Sequence, residues 1–252
     1  MPHKPTLAIV TGASRGLGHA LSAALLADGA RVIGMARGHM ALAINDRFIA
    51  CTIDLTDSAA SVIALETALS ALNAQDFNAV TLINNAGTVA PIALADQLPA
   101  ASVADAVALN LTTPIALTSA FLRLTAHWPG LRRILNISSG AAHTAYPGWS
   151  VYGASKAGLD HFSRCVAHEQ AQRESPAHNP AHIVSLAPGV IDTDMQTHIR
   201  NTPAADFPLR ERFVALKAEG QLQSPEAAAR SILSYLDHPD FGHETVVDIR
   251  QL

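Results

Sequence analysis

The segment TLAIVTGASRGLGHALSAALL, residues 6–26, decides how the rest of the chain is read. Thr6 to Val10 is a short apolar run, Thr11-Gly12 ends it, and Leu17, Ala20, Leu21, Ala24 and Leu25 then recur at helical spacing. Strand, glycine-rich turn and helix follow one another. A glycine at 12, 16 and 18 lets the chain turn tightly, lets backbone approach a pyrophosphate, and lets the helix pack close to the strand. Gly12, Ser14, Arg15, Gly16, Leu17 and Gly18 are therefore candidate dinucleotide contacts. They sit where the free N–H groups and partial positive charge of a helix N-terminus would face phosphate. A glycine-rich turn without a ligand is the plainer alternative.

Outward from this unit, strand and helix patterns alternate. Apolar runs at Arg31–Met35, Phe48–Ile53, Ala79–Ile83, Ile134–Ile137, Ile183–Ala187 and Thr245–Ile249 read as strands. Between the second and third, Gly38 to Arg47 leaves room for a single helical turn at most, where parallel strands usually need a dozen residues or more. Asp57 or Thr56 caps a helix whose apolar face is Val62, Ile63, Leu65, Leu69 and Leu72. Residues 99–126 are helical, Leu159, Phe162 and Val166 mark the buried side of another helix, and Ser224-Pro225 starts the last. The polar, proline-bearing stretch Glu174 to Pro180 reads as a surface loop. These elements predict an α/β fold: one domain over residues 1–252, a doubly wound parallel sheet of about seven strands with helices on both faces.

The totals fit that size. The chain has 252 residues, 49% hydrophobic and 15% charged, with a formal charge of −4. A surface so poor in charge suits burial against copies of the same chain. The pI near 6.3 and mean hydropathy of +0.19 offer no basic field for nucleic acid or anionic lipid. No run of 18 apolar residues occurs, Met1-Pro2-His3-Lys4-Pro5 leads straight into the first strand without a signal-peptide h-region, and the expected compartment is the cytoplasm. Cys51 and Cys165 lie on elements expected to be buried and read as reduced core thiols. The twelve histidines are scattered and show no HExxH motif, so no metal site is expected.

Chemistry concentrates in ISSGAAHTAYPGWSVYGASK, residues 137–156. Tyr152 and Lys156 are four apart and share a helix face. A tyrosine alone, with a pKa of roughly 10, is a poor acid or base near neutrality, and a neighbouring ammonium stabilises its phenolate. Ser139 follows an apolar strand and so leaves its carboxyl end pointing into the crevice where open α/β sheets bind ligands.

Ser139, Tyr152 and Lys156, the glycine turn at 12–18 and Asn84-Asn85-Ala86-Gly87 together resemble the short-chain dehydrogenase/reductase family, over essentially the whole chain. The resemblance implies a Rossmann-type fold and a catalytic set of Asn110, Ser139, Tyr152 and Lys156, with Asn110 holding a water in a proton relay. Asn110 as a satisfied buried amide is the alternative. It implies cofactor contacts from the glycine turn, Asn85, Ala86, Gly87, Tyr152 and Lys156, from Asp54 and Leu55 against adenine, and from Pro188, Gly189, Val190 and Thr193 over the nicotinamide. Asp54 could equally cap its own loop. At the end of the second strand stands Ala36-Arg37 in place of an acid, and Arg37 with Arg15 matches the basic pair of NADP users, so NADP(H) is the expected cofactor. Arg37 as a solvated loop charge remains open.

Residues 194–223 are the expected substrate lid. Its Asp192-Thr193-Asp194-Met195-Gln196, the segment Leu216 to Gly220 and the ending Val247-Asp248-Ile249 resemble the branch that holds the sepiapterin and benzil reductases. That implies an NADPH-dependent reductase of a ketone, either a vicinal diketone or an α-hydroxy ketone, with Ser139, Tyr152, Met195 and Asp248 toward the substrate. Asp248 at a strand end or subunit contact is as compatible. An NADP-binding redox sensor without turnover and an NAD-linked alcohol dehydrogenase are the alternatives. The family also implies a homodimer or homotetramer built through two long helices and the last strand.

Overall fold

The computed structural model describes residues 5–42, 46–173 and 179–252. Met1 to Lys4, part of the Gly38–Arg47 connection and most of the Glu174–Pro180 loop lie outside the described residues. Seven parallel strands run in the order β3-β2-β1-β4-β5-β6-β7. They are β1 (Thr6–Thr11), β2 (Arg31–Ala36), β3 (Phe48–Thr52), β4 (Ala79–Asn84), β5 (Leu131–Ile137), β6 (His182–Ala187) and β7 (Val246–Asp248). Order reverses at β1, which pairs with β2 on one side and β4 on the other, so the crevice above the carboxyl end of β1 is the switch point.

The period of two in β1 splits the core. Ala8 and Val10 face α1 (Gly16–Ala27) and α8 (Pro225–Leu236), joining Leu17, Leu21, Leu25, Ile232 and Leu236. Leu7 and Ile9 face the opposite layer, with Leu65 and Leu69 of α2 (Ser58–Ser70), Leu117 and Phe121 of α4 (Thr113–Leu124) and Val166 of α5 (Ser150–Ala171). Helices thus cover both faces. α2 is capped by Asp57, whose carboxylate accepts from the Ala60 N–H, and α8 by Ser224 at its N-cap with Pro225 at N1.

Three expectations are corrected. Ile63 is 62% exposed, because it lies two residues from Leu65 and so about 200° around the helix from the buried stripe. Cys165 is exposed and Cys51 only partly buried, so they are not core thiols; the buried stripe of α5 runs through Leu159, Ser163, Val166 and Gln170 and misses Cys165. β5 begins three residues earlier than expected, at Leu131, despite two arginines. Arg132 is buried there with its guanidinium donating to the carbonyls of Leu122 and Asn179 and to Thr125 Oγ1, and burial pulls its pKa down to about 10.

The helical stretch Ala100–Leu124 consists of α3 (Ala100–Val107), a π turn over Ala108–Thr112, and α4. With mean hydropathy 1.4 it is long and apolar enough to cross a membrane. Here it lies along the sheet, and its polar residues bond inward: Thr113 Oγ1 to the Leu55 carbonyl, and Thr118 Oγ1 with Asn84. A buried amide chain from Asn84 through Asn136 to Ser163 Oγ ties β4, β5 and α5 together and fixes the helix that carries Tyr152. Between β6 and α8, the excursion holding α6 (Asp194–Asn201) and α7 (Arg210–Ala218) is closed at its base, where Gln223 exchanges main-chain hydrogen bonds with Val190 and Asp192.

Candidate active site

The glycine turn forms the floor of a cleft of about 1420 Å³. Gly12 has φ 72°, in the left-handed region that favours glycine. A Cβ on Gly18 would lie 2.3 Å from the Gly12 carbonyl oxygen and 2.4 Å from Asn85 Nδ2, so the start of α1 approaches β1 too closely for any other residue. Asn85 fastens the same turn: its side chain donates to the Thr11 carbonyl, while Thr11 Oγ1 accepts from the N–H groups of Asn85 and Ala86. Its amide is therefore spent on the protein, leaving backbone to face a ligand.

Every expected site residue lines this cleft except Gly18, Asn110 and Asp248. Gly18 lies beneath the turn as the helix–strand contact. Asn110 is fully buried in the π turn, donating to the Thr88 carbonyl and accepting from the Thr88 N–H, both at 2.8 Å. A Cβ on Gly87 would stand 3.1 Å from Asn110 Oδ1 and 3.6 Å from Lys156 Nζ, so this glycine keeps the space between the two free. Asp248 accepts from the N–H and guanidinium of Arg250, which holds its carboxyl below the usual range, and it is Arg250 that lines the cleft.

At one end of the cleft, Arg15 pairs with Asp194 at 3.0 Å and Arg37 with Asp54 at 3.6 Å. All four side chains are substantially exposed, so these pairs contribute little to stability, about 0–1 kcal/mol each. Asp54 also accepts from the Thr56 N–H and hydroxyl, bonds that, with the Thr56 N–H first, lower its pKa. It caps its own loop while facing the cleft. Thr193, the residue before α6, has its methyl 3.3 Å from where a Cβ of Gly16 would be, so the loop after β6 closes on the glycine turn.

At the other end sit the reactive groups. Tyr152, nine-tenths buried, carries a hydrogen bond from Ser139. Desolvation raises its pKa above 10 and the Ser139 bond only partly opposes that. The residue reading expected the amine to draw the phenol downward, but Lys156 Nζ is 5.8 Å from the ring centroid and donates to the Ile137 carbonyl at 2.7 Å. Burial lowers the Lys156 pKa from 10.5 to about 8, with Asp160 pulling the other way. At neutral pH the pair is thus a protonated phenol beside an ammonium, the state a proton donor needs.

Above them an aromatic wall closes the site. Trp149 packs on Tyr152 at 5.6 Å, stacks on Phe207 at 4.8 Å and meets Phe213 and Tyr146 at 5.2 Å each. Phe207 is fully buried and sits at the core of the segment between β6 and α8, while Phe213 and Met195 face the cleft. Sequence reading missed Trp149, Tyr146, Arg212 and Arg250, all of which line it. The spacing of Trp149 three residues before Tyr152 places it one turn away and was the available sign. Among the described residues no group of three or more His, Cys, Asp or Glu side chains is placed to hold a metal.

A buried tyrosine and lysine with a half-buried serine at the carboxyl edge of a parallel sheet, facing a glycine turn across one cleft, agree with a sequence comparison in which the family described as short chain dehydrogenase matches residues 6–204. The chain belongs to that family. As a short-chain dehydrogenase it is an oxidoreductase acting on CH–OH and C=O groups with NAD(P). It is similar to benzil reductase ((S)-benzoin forming) of Bacillus cereus, 38% identical over 247 residues that cover 96% of this chain and 98% of that one. Sepiapterin reductase of Meriones unguiculatus is 32% identical over 256 residues, covering 95% and 94%. Among solved structures, the KRED1-Pglu enzyme superposes with a TM-score of 0.81 at 29% identity, over 96% of this chain and all of that one.

Proposed function

We propose that this short-chain dehydrogenase is an NADPH-dependent carbonyl reductase of one domain whose substrate is a ketone flanked by a second oxygen, as in a vicinal diketone or α-hydroxy ketone. The observation that carries this reading is the protonated Tyr152, bonded by Ser139 and one turn from the Lys156 ammonium, beneath an aromatic wall of Trp149, Phe213 and Tyr146. The cleft's volume exceeds that of a single drug-sized ligand and leaves room for dinucleotide and substrate together. Gly12, Gly16 and Gly87 would admit the dinucleotide's backbone contacts, Arg15 and Arg37 its 2′-phosphate, and Gly189, Val190 and Thr193 its nicotinamide end.

Bound NADPH would supply the hydride. The chain's residues do the rest: Tyr152 gives its proton to the carbonyl oxygen, and Ser139 donates a hydrogen bond to the same oxygen as negative charge develops there. Lys156 stabilises the phenolate left behind and would hold the nicotinamide ribose when the cofactor is bound. Asn110, across the space kept open by Gly87, supports the water that returns the proton. Met195, Phe213 and Trp149 exclude bulk water, and Asp248 acts on the substrate through the Arg250 it orients. The apolar stretch Ala100–Leu124, most of whose residues are not fully buried within the chain, supports assembly as a homodimer or homotetramer.

The test is consumption of NADPH and of NADH against diaryl diketones, sepiapterin and simple aldehydes. Preference for NADPH with a diketone or α-hydroxy ketone is expected. Equal or better use of NADH overturns the cofactor assignment, and inertness toward every carbonyl overturns the reductase.

A further inference from the structure

The face of α5 that carries Tyr152 and Lys156 continues, one more turn along, to Asp160, and no step proposed above uses it. Its side chain is 2% exposed. One carboxylate oxygen, Oδ1, accepts 2.6 Å hydrogen bonds from both Ser138 Oγ on the loop that presents Ser139 and Ser185 Oγ on β6. The other, Oδ2, makes no aligned hydrogen bond, and its neighbour is Nε2 of the largely exposed His143, 3.2 Å away. A buried carboxylate is costly unless compensated, and this one is met by two hydroxyls on one oxygen and a surface imidazole on the other. The nearby residue that gains from its charge is Lys156, whose ammonium is otherwise buried against a single carbonyl.

We propose that Asp160 is a positioning residue: its carboxylate, held by Ser138 and Ser185 and capped by His143, keeps Lys156 in the ammonium form that the phenol of Tyr152 requires. This deepens the reductase reading and rests on it for its catalytic meaning. The groups that face the pair support the assignment. Tyr152 on α5 and His143 from the loop after β5 are titratable; β5 offers the Ile137 carbonyl and the Ser138 hydroxyl, β6 the Ser185 hydroxyl, and the π turn the amide of Asn110. β7 carries Asp248, but Arg250 takes up its charge. Among the described residues Asp160 is thus the anion whose charge reaches the lysine, one turn away along α5 and without direct contact, and its pull on Lys156 opposes the effect of burial.

The chain has only three lysines, Lys4, Lys156 and Lys217, so [ε-13C]lysine gives three NMR signals, and the one lost in Lys156→Arg is assigned. In the ligand-free wild type its titration midpoint is expected near pH 8. In Asp160→Asn, which keeps the shape and an oxygen for both serine hydroxyls, the midpoint is expected to fall by about one pH unit or more. The alkaline limb of kcat should move with it, while KM for the ketone stays close to wild type. An unmoved midpoint in folded Asp160→Asn overturns the proposal. Should that variant not fold, His143→Arg sets a fixed cation against Oδ2 from the surface; it should also lower the midpoint, and an unmoved signal there is equally decisive. The titration needs neither substrate nor turnover, so a protein inert toward carbonyls would count against the reductase reading and leave this result standing.

Discussion

Raising the pH from neutrality should stabilise this protein through one side chain. Lys156 is 4% exposed, and burial lowers its pKa from 10.5 in the unfolded chain to about 8 in the folded one. Between those two values the unfolded state binds the extra proton, so stability rises with pH across that window and is flat below it. At 1.36 kcal/mol per pH unit the whole difference is about 3 kcal/mol, of which about 2–3 kcal/mol is gained between about pH 7 and 10. Urea unfolding of wild type and Lys156→Met at several pH values isolates this contribution, since other groups titrate in both and cancel in the difference. The wild type should gain on the variant steadily above about pH 8. A difference that stays flat would mean that the amine keeps an ordinary pKa, and with it would go the account of a strained ammonium at the site. The expected result also says that the ammonium is retained at neutrality at the expense of stability, which is what a functional group does and a packing residue does not.

Other outcomes follow from the same geometry. Tyr152→Phe should lower kcat by roughly 10²-fold or more with NADPH affinity retained, measured by turnover and by cofactor titration; near-normal turnover would remove Tyr152 as the acid. Arg37→Ala and Arg15→Ala should each raise KM for NADPH several-fold, consistent with loss of about 1–2 kcal/mol from a charge-assisted phosphate contact, and leave KM for NADH nearly unchanged. Gly18→Ala places a methyl 2.3 Å from a carbonyl oxygen, so it should destabilise by about 1–3 kcal/mol or more and weaken dinucleotide binding. Thermal melts with and without NADPH read both effects.

Legibility from sequence differed along the chain for physical reasons. The strands buried on both faces announce themselves as unbroken apolar runs, as in β1, and the caps Asp57 and Ser224 carry their own chemistry. β5 hid its first half because Arg132 reads as surface; only tertiary partners, two carbonyls and a threonine hydroxyl, make its burial tolerable. Ile63 and Cys165 show the reverse, residues whose type suggests the interior but whose angle on the helix faces out. At the site, Tyr152, Lys156 and Ser139 were legible because their spacing is local or tied to a strand end. Arg250 and Arg212 were not, since what brings them to the cleft is the fold of the lid and of the last few residues. The pKa of Tyr152 was misjudged for a related reason: spacing puts an amine one turn away, but not where its nitrogen points.

The two ends of the lid meet. Because Gln223 bonds back to Val190 and Asp192, the thirty-odd residues between leave the sheet and return to the same place, like a bight of rope seized at its neck. Closing a loop whose ends are already adjacent depends weakly on its length, about 0.6 kcal/mol for each doubling. The segment that walls the cleft can therefore be lengthened, shortened or exchanged for a relative's without the scaffold beneath it being disturbed. Grafts joined at this neck are the natural route to altering which substrates the cleft admits while Ser139, Tyr152 and Lys156 stay in place.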